Sequence, residues 1–302
     1  FAYASLNVMD LEPAVHHYVH VVGLRLVEQD AGRAYFQAMD NQDHHCLVLN
    51  LAPSAGVDHV GFKVSDKADL KEAAAAARDW GLKVDKMPAG TLRGQGEGVV
   101  ITLPSEHRMV LFFHADKIGY ETGMKNPDPV PTVARPGARV THLDHTLLAT
   151  EKQTETARFL QEVLDFQLTE KVVDPGGNIV AAFLSCGNTM HDLALGPGPN
   201  GTFHHMAFGV ESRGEVIEGV DILKETATPA LEFGITRHGV AGVTTIYFHD
   251  PSGNRNEFFN GAYPVTGVRG AVAPIVWTLD QFPRGGFYYE SAVPPQFFEQ
   301  VT

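Results

Sequence analysis

The stretch Thr244-Thr245-Ile246-Tyr247-Phe248-His249-Asp250-Pro251-Ser252-Gly253-Asn254-Arg255-Asn256-Glu257-Phe258-Phe259 sets a Pro-Ser-Gly-Asn turn between two arms rich in apolar residues, which predicts a β-hairpin. A second hairpin of the same build runs from Val99 to Phe113, with Pro104-Ser105 at its turn. Upstream of each lies a short strand, His204-His205-Met206-Ala207-Phe208-Gly209-Val210 in one case and Asp58-His59-Val60-Gly61-Phe62-Lys63-Val64 in the other. Comparable strands begin at Ala4-Ser5-Leu6-Asn7-Val8 and at Leu143-Asp144-His145-Thr146-Leu147-Leu148, so one pattern occurs four times. In the clearest copy a helix follows, carrying Thr156, Phe159, Leu160, Val163 and Leu164 at i, i+3, i+4, i+7 and i+8, a one-sided stripe that packs on a sheet. The reading is an α+β chain of four βαβββ modules. Each module leaves one sheet face open, so modules pair, and each pair curls into a half-barrel around a cavity.

A polar stretch with Pro127, Pro129, Pro131 and Pro136 separates the two pairs. The expected organisation is two domains, over 1–118 and 140–265, joined by a linker over 119–139, with a tail over 266–302 packing on the second.

Three polar residues stand where an inward-facing apolar side chain is expected: His145 and His205 in the first strands of modules three and four, and Glu257 in the last strand of module four. Two imidazoles and a carboxylate on one face of an octahedron, with open positions opposite, suit Fe(II) enzymes that activate oxygen, although zinc or manganese also takes this set. The duplicated first half offers an internal comparison. Its matching positions are read as Leu6, His59 and Val110, which keep one ligand of three, so that half is expected to be metal-free and structural. A lone strand histidine facing a core is more often hydrogen-bonded than metal-bound; three donors at matching repeat positions reverse that balance. Around them stand His191, His238 and Tyr247 as acid-base candidates. The hairpin sets Tyr247 opposite Glu257, and His238 precedes Gly239 and Gly242 in a loop able to reach the cavity mouth. Each has an ordinary alternative, since a loop histidine commonly faces water and a strand tyrosine commonly packs its ring.

Composition narrows the function classes. A net charge of -13 with only 23 Lys and Arg disfavours a nucleic-acid partner and leaves a small molecule as the expected one. Two distant cysteines, Cys46 and Cys186, without a CxxC pair exclude a zinc-thiolate or iron-sulfur site and disfavour a disulfide framework. No apolar run approaches membrane-spanning length, and Phe1 to Asp10 lack the features of a signal peptide, so the expectation is a cytoplasmic protein without a membrane partner.

At Leu143-Asp144-His145, His204-His205, Thr236-Arg237-His238-Gly239, the run Ile246 to Glu257 and the tail Trp277-Thr278-Leu279-Asp280-Gln281, the sequence resembles the extradiol ring-cleavage dioxygenases of the vicinal-oxygen-chelate superfamily, in the catechol 2,3-dioxygenase group. The resemblance spans nearly the whole chain. It implies a glyoxalase-like fold, a homotetramer, a metal-free first domain, and O2-dependent cleavage of catechol beside its hydroxyls to 2-hydroxymuconate semialdehyde. It also implies Fe(II), with Mn(II) possible, on His145, His205 and Glu257, catalytic roles for His191, His238 and Tyr247, and substrate contacts from His238, Tyr247 and Phe183. Two other readings of the fold are a non-oxidative, glyoxalase-like metalloenzyme and a drug-sequestering binding protein, the latter lacking the metal triad. The loop Gly196 to Gly201 and the stretch after Phe282 depart from the family's pattern and bear on which catechol is taken.

Overall fold

The structure is a computed structural model that describes residues 1–118, 136–226, 231–265, 273–291 and 294–302. Two large sheets carry the architecture. The first is built from β1 (Tyr3–Val8), β2 (Arg25–Gln29), β3 (Arg33–Gln37), β4 (Leu47–Leu51), β5 (Gly56–Lys63), β6 (Val84–Met87), β7 (Gly98–Thr102) and β8 (Arg108–Phe112), in the order β2-β3-β4-β1-β5-β8-β7-β6. The second contains β9 (His142–Thr150), β10 (Gln167–Val173), β11 (Ile179–Ser185), β12 (Leu193–Pro197), β13 (Thr202–Gly209), β14 (Phe233–Arg237), β15 (Thr244–His249) and β16 (Arg255–Asn260). Its order is β14-β15-β16-β13-β9-β12-β11-β10, with β17 (Ile275–Thr278) added parallel to β10 at the edge.

Each sheet is two βαβββ modules joined along their first strands, β1 with β5 and β9 with β13, both antiparallel. Within every module the first strand pairs in parallel with the last, across a crossover that contains a helix: α1 (Leu11–His17), α2 (Lys67–Asp79), α3 (Gln153–Leu164) or α4 (Arg213–Glu225). The four-module expectation is met. Local chemistry repeats with it, since α2 and α4 start in capping boxes at matching places, Asp66 with Asp69 and Ser212 with Glu215.

The strand alternation divides each sheet into two faces. Leu148, Met206, Phe208, Ile246, Phe248 and Phe258 belong to the main core, together with Phe159 and Leu160 of α3 and Val216 of α4. On the opposite face His145, Leu147, His205, Tyr247 and Glu257 turn toward a cavity. Adjacent residues thus serve different tasks, one holding helices and the next lining the site.

The halves are also tied to each other. The β15–β16 turn keeps Asp250 buried, where it accepts from Ser252 N, Asn254 N and the Tyr18 hydroxyl, the last at 3.0 Å across the two halves. Asn254 receives Gly56 N at 2.9 Å and donates to Asn7 O at 3.0 Å, and Ser252 Oγ accepts from Met9 N at 2.9 Å. The long motif of the second hairpin is therefore a docking element as well as part of a site.

One reading of the repeat needs correction. Cross-strand register pairs His145 with Ala207 and Tyr3 with Gly61, so the counterpart of His145 is Tyr3 rather than Leu6. Strand β9 begins at His142, three residues ahead of His145, whereas β1 begins at Tyr3 itself, so aligning the strand starts misplaces the counterpart by three residues. His59 and Val110 keep the places expected of them, two residues before Gly61 and opposite it. Of the linker, Pro127, Pro129 and Pro131 lie outside the described residues. Among the described residues no helix is long and apolar enough to cross a membrane.

The Tyr3 ring lies where a side chain on Gly61 would project, with its Cε1 2.0 Å from an added Cβ. Tyr3 is buried and its hydroxyl is 3.0 Å from His59 Nε2, so it has little room to yield. Gly61→Ala is expected to cost about 1–3 kcal/mol of stability by overpacking, read as a lowered urea midpoint at unchanged slope.

Candidate functional site

The inward side chains of β9, β13 and β16 meet beneath one cavity. His145, His205 and Glu257 are all buried, and their donor atoms lie within 4.8 Å of one another. Glu257 Oε2 is 3.1 Å from His205 Nε2 and 3.6 Å from His145 Nε2, while its Oε1 accepts from Thr245 Oγ1 at 2.5 Å. Both imidazoles are held from behind at Nδ1. Asp144 Oδ2 stands 2.8 Å from His145 Nδ1, and His204 Nδ1 stands 2.7 Å from His205 Nδ1. Among the described residues this is the one group of three or more His, Cys, Asp or Glu side chains so arranged.

Electrostatics follow from enclosure. Burial opposes the Glu257 carboxylate, but hydrogen bonds from His145 and His205 outweigh it and hold its pKa well below the usual range. Burial likewise opposes the His145 imidazolium, yet the hydrogen bonds to Asp144 and Glu257 raise it to about 9. A buried carboxylate between two imidazoles is a cation-seeking arrangement. The donor set fits a divalent metal: three convergent donors come from rigid strands, and each imidazole Nε2 faces the centre with its other nitrogen occupied.

The other candidates line the same cavity. The His191 ring centroid is 4.1 Å from that of His145 and 5.2 Å from that of Phe183. Its Nδ1 is buried and has no hydrogen-bond partner among the described residues, and burial together with His145 keeps the ring uncharged by pushing its pKa well down. His238 reaches in from the loop after β14, its Nε2 2.7 Å from the Tyr247 hydroxyl and its Nδ1 hydrogen-bonded to Gly286 O. Because a carbonyl only accepts, His238 Nδ1 carries the proton, and Tyr247 donates to Nε2. Burial and then Glu257 push the Tyr247 phenol well above its ordinary pKa, so it acts as a donor rather than as a phenolate. Tyr247 pairs directly with Glu257 across the β15–β16 ladder, as the hairpin reading expects.

Sequence reasoning missed the roof. Phe282, Gly286 and Phe287, with Phe297 and Phe298 of the C-terminal segment, close the cavity, and Phe297 packs edge-on to Tyr247 at 4.7 Å. Their only sequence signal is aromatic density in a stretch without strand or helix period. Glu170 was missed as well. It is buried on β10 and accepts from Ala241 N, Tyr263 Oη and Trp277 Nε1 at 2.9, 2.6 and 2.7 Å, pinning the His238 loop and β17 at the cavity rim. Beside the cavity lies a chamber of about 200 Å³ with shared walls of Leu147, Phe183, Phe282, Phe297 and Phe298, extended by Val172, Val180 and Ala181.

Known proteins carry the same fold and site region. The catechol 2,3-dioxygenase-like N-terminal domain model matches residues 57–117, and the glyoxalase/bleomycin resistance protein/dioxygenase superfamily model matches residues 142–258. The metapyrocatechase of Pseudomonas sp. (strain CF600) is 34% identical over 99% of this chain and 97% of its own length. A manganese-dependent 2,3-dihydroxybiphenyl 1,2-dioxygenase of Geobacillus genomosp. 3 is 25% identical over 98% of this chain and 95% of its own. Among solved structures, the 2,3-dioxygenase LapB of Pseudomonas sp. KL28 superposes with a TM-score of 0.86 at 37% identity, covering 93% of this chain and 97% of that one. The paired-module fold with these relatives defines an extradiol ring-cleaving dioxygenase. Within that class, the chain belongs to the metapyrocatechase family.

Removing Glu257 takes the one carboxylate out of this donor group. Glu257→Ala is expected to lose stoichiometric metal on purification, whereas His59→Ala, in the other half, keeps it; elemental analysis of both variants checks the contrast.

Proposed function

We propose that this protein cleaves catechol, or a catechol with an uncharged apolar ring substituent, in an O2-dependent extradiol reaction at Fe(II) held by His145, His205 and Glu257. The observation that carries this reading is the buried 2-His-1-carboxylate group at the floor of a largely apolar pocket, with neutral acid-base side chains beside it. The metapyrocatechase name of the 34%-identical relative supports catechol as substrate and 2-hydroxymuconate semialdehyde as product. The manganese-dependent relative supports Mn(II) as the alternative ion in the same ligands. When bound, the ion would supply a Lewis acid that acidifies the catechol hydroxyls and, as Fe(II), a route for electrons to pass from the catechol, which is their source, to O2.

The chain's own groups do the rest. Tyr247 and His238 form a hydrogen-bonded pair whose donor and acceptor hold a substrate oxygen and carry a proton between them. His191 is uncharged and has a spare nitrogen in the cavity, so it takes a proton during the reaction and returns it later. Phe183 and Leu147 wall the aromatic ring, and Phe287 and Phe297 exclude water from above. The adjoining apolar chamber suits a hydrocarbon substituent and offers no charge to recognise a carboxylate. In this reading residues 1–118 are a metal-free structural domain. Ile275, Val276, Leu279, Tyr288 and Tyr289 are exposed apolar residues along the tail and suit subunit contacts in the homotetramer that the family resemblance implies.

Oxygen uptake by anaerobically Fe(II)-loaded protein given catechol, followed with the product spectrum, tests the reaction. Stoichiometric uptake with a yellow semialdehyde is expected; no uptake with bound metal verified would exclude the proposal. His191→Ala is expected to retain iron while turnover falls on the order of 10²- to 10⁴-fold, as for loss of one proton-transfer group, and steady-state kinetics on iron-quantified protein reads it.

A further inference from the structure

Three of the modules share a device behind the inward histidine of the first strand. In β5 the bulged residue is Asp58, whose Oδ2 lies 2.7 Å from His59 Nδ1; in β9 it is Asp144, 2.8 Å from His145 Nδ1. A carboxylate only accepts, so it fixes the proton on Nδ1 without help and leaves Nε2 bare. In β13 the bulge falls at the same place, between Phe203 and His205, but the residue there is His204. An imidazole can accept or donate, so it fixes nothing until its own proton is placed.

That proton is placed by the C-terminal segment. His204 Nε2 is 2.8 Å from the carbonyl oxygen of Phe297, in the short helix α5 (Pro295–Glu299). The carbonyl accepts, so Nε2 carries the hydrogen, Nδ1 is bare, and His205 must donate from its own Nδ1 at 2.7 Å. His205 Nε2 is then left free to face Glu257 Oε2 and a metal. The segment is latched from both sides: the Arg255 guanidinium lies 4.9 Å over the Phe297 ring while its Nη1 donates to His204 O, and Thr302 pairs with Phe203 through both backbone groups.

We propose that His204 is a positioning residue that sets the tautomer of the metal ligand His205 only while the C-terminal segment is seated, so that segment docking and metal binding are one linked equilibrium. This rests on the reading of His145, His205 and Glu257 as metal ligands. Linkage makes the effect reciprocal: whatever factor the seated segment adds to metal affinity, the metal adds to seating.

The test titrates Mn(II) alone into metal-free full-length protein and follows bound ion by electron paramagnetic resonance. Phe297→Ala, which removes the ring packing that seats the segment, is expected to weaken Mn(II) affinity about 10- to 100-fold, the usual cost of losing a ligand-orienting partner. His204→Asp restores the carboxylate of the other modules. The double variant His204→Asp with Phe297→Ala is therefore expected to recover affinity to within about threefold of His204→Asp alone. Unchanged affinity in Phe297→Ala, or no recovery in the double variant, overturns the proposal. On the unmodified protein, Mn(II) is expected to slow amide hydrogen exchange across 295–302, and exchange unaffected by Mn(II) overturns it too. Glu257→Ala distinguishes the two levels: if it binds Mn(II) as tightly as the unmodified chain, the ligand assignment itself fails.

Discussion

A carboxylate shut away from water is the constraint around which this molecule is organised. Glu257 is almost wholly buried, and a charge so placed costs several kcal/mol unless a compensating charge stands beside it. Compensation has to arrive from two other strands, because no residue next to Glu257 in sequence carries positive charge into the cavity. Strands β9 and β13 must therefore pair antiparallel in one register, β13 must lie parallel to β16, and the cores beneath α3 and α4 must hold that register. The same apolar cavity that makes the charge expensive also keeps His191 and His238 uncharged and Tyr247 protonated, so one low-dielectric enclosure tunes every group.

The first sheet shows what the same module becomes without that carboxylate. Val110 occupies the place of Glu257 and Val100 that of Tyr247. Tyr3 fills the space opposite Gly61, bonding His59 through its hydroxyl. Aromatic contacts of Tyr3 and Tyr35 with His44, His45 and His59 turn a former cavity into a packed interior. One backbone plan thus supports either a reactive pocket or a stiff block, according to a few inward positions.

Much of this was legible in the sequence because strands have a period of two and the chain repeats. Alternation placed His145, His205 and Glu257 on one face, and the hairpin's turn put Tyr247 opposite Glu257. Bulges were not legible. The extra residue in β13 sets His204 Nδ1 against that of His205, and strand length was no more legible, since the three residues by which β9 starts ahead of His145 moved its apparent counterpart from Tyr3 to Leu6. Long-range contacts were also invisible: Phe287 and Phe297 enter the cavity from segments without periodic pattern, and the three donors to Glu170 lie 71, 93 and 107 residues away.

The turn from Asp250 to Asn254 is shared by both halves, and that carries a consequence for how such a chain can change over generations. Its side chains complete hydrogen bonds begun by Met9, Tyr18 and Gly56, while its flanking strands present Tyr247 and Glu257. The half without the His145, His205 and Glu257 group is consequently not free to diverge as a passive passenger. A substitution at Tyr18 would be felt first at the mouth of a hairpin whose far side holds the reactive centre. Inheritance of the two halves is coupled through the side chains of this turn, and shuffling one half between related chains has to carry this seam along.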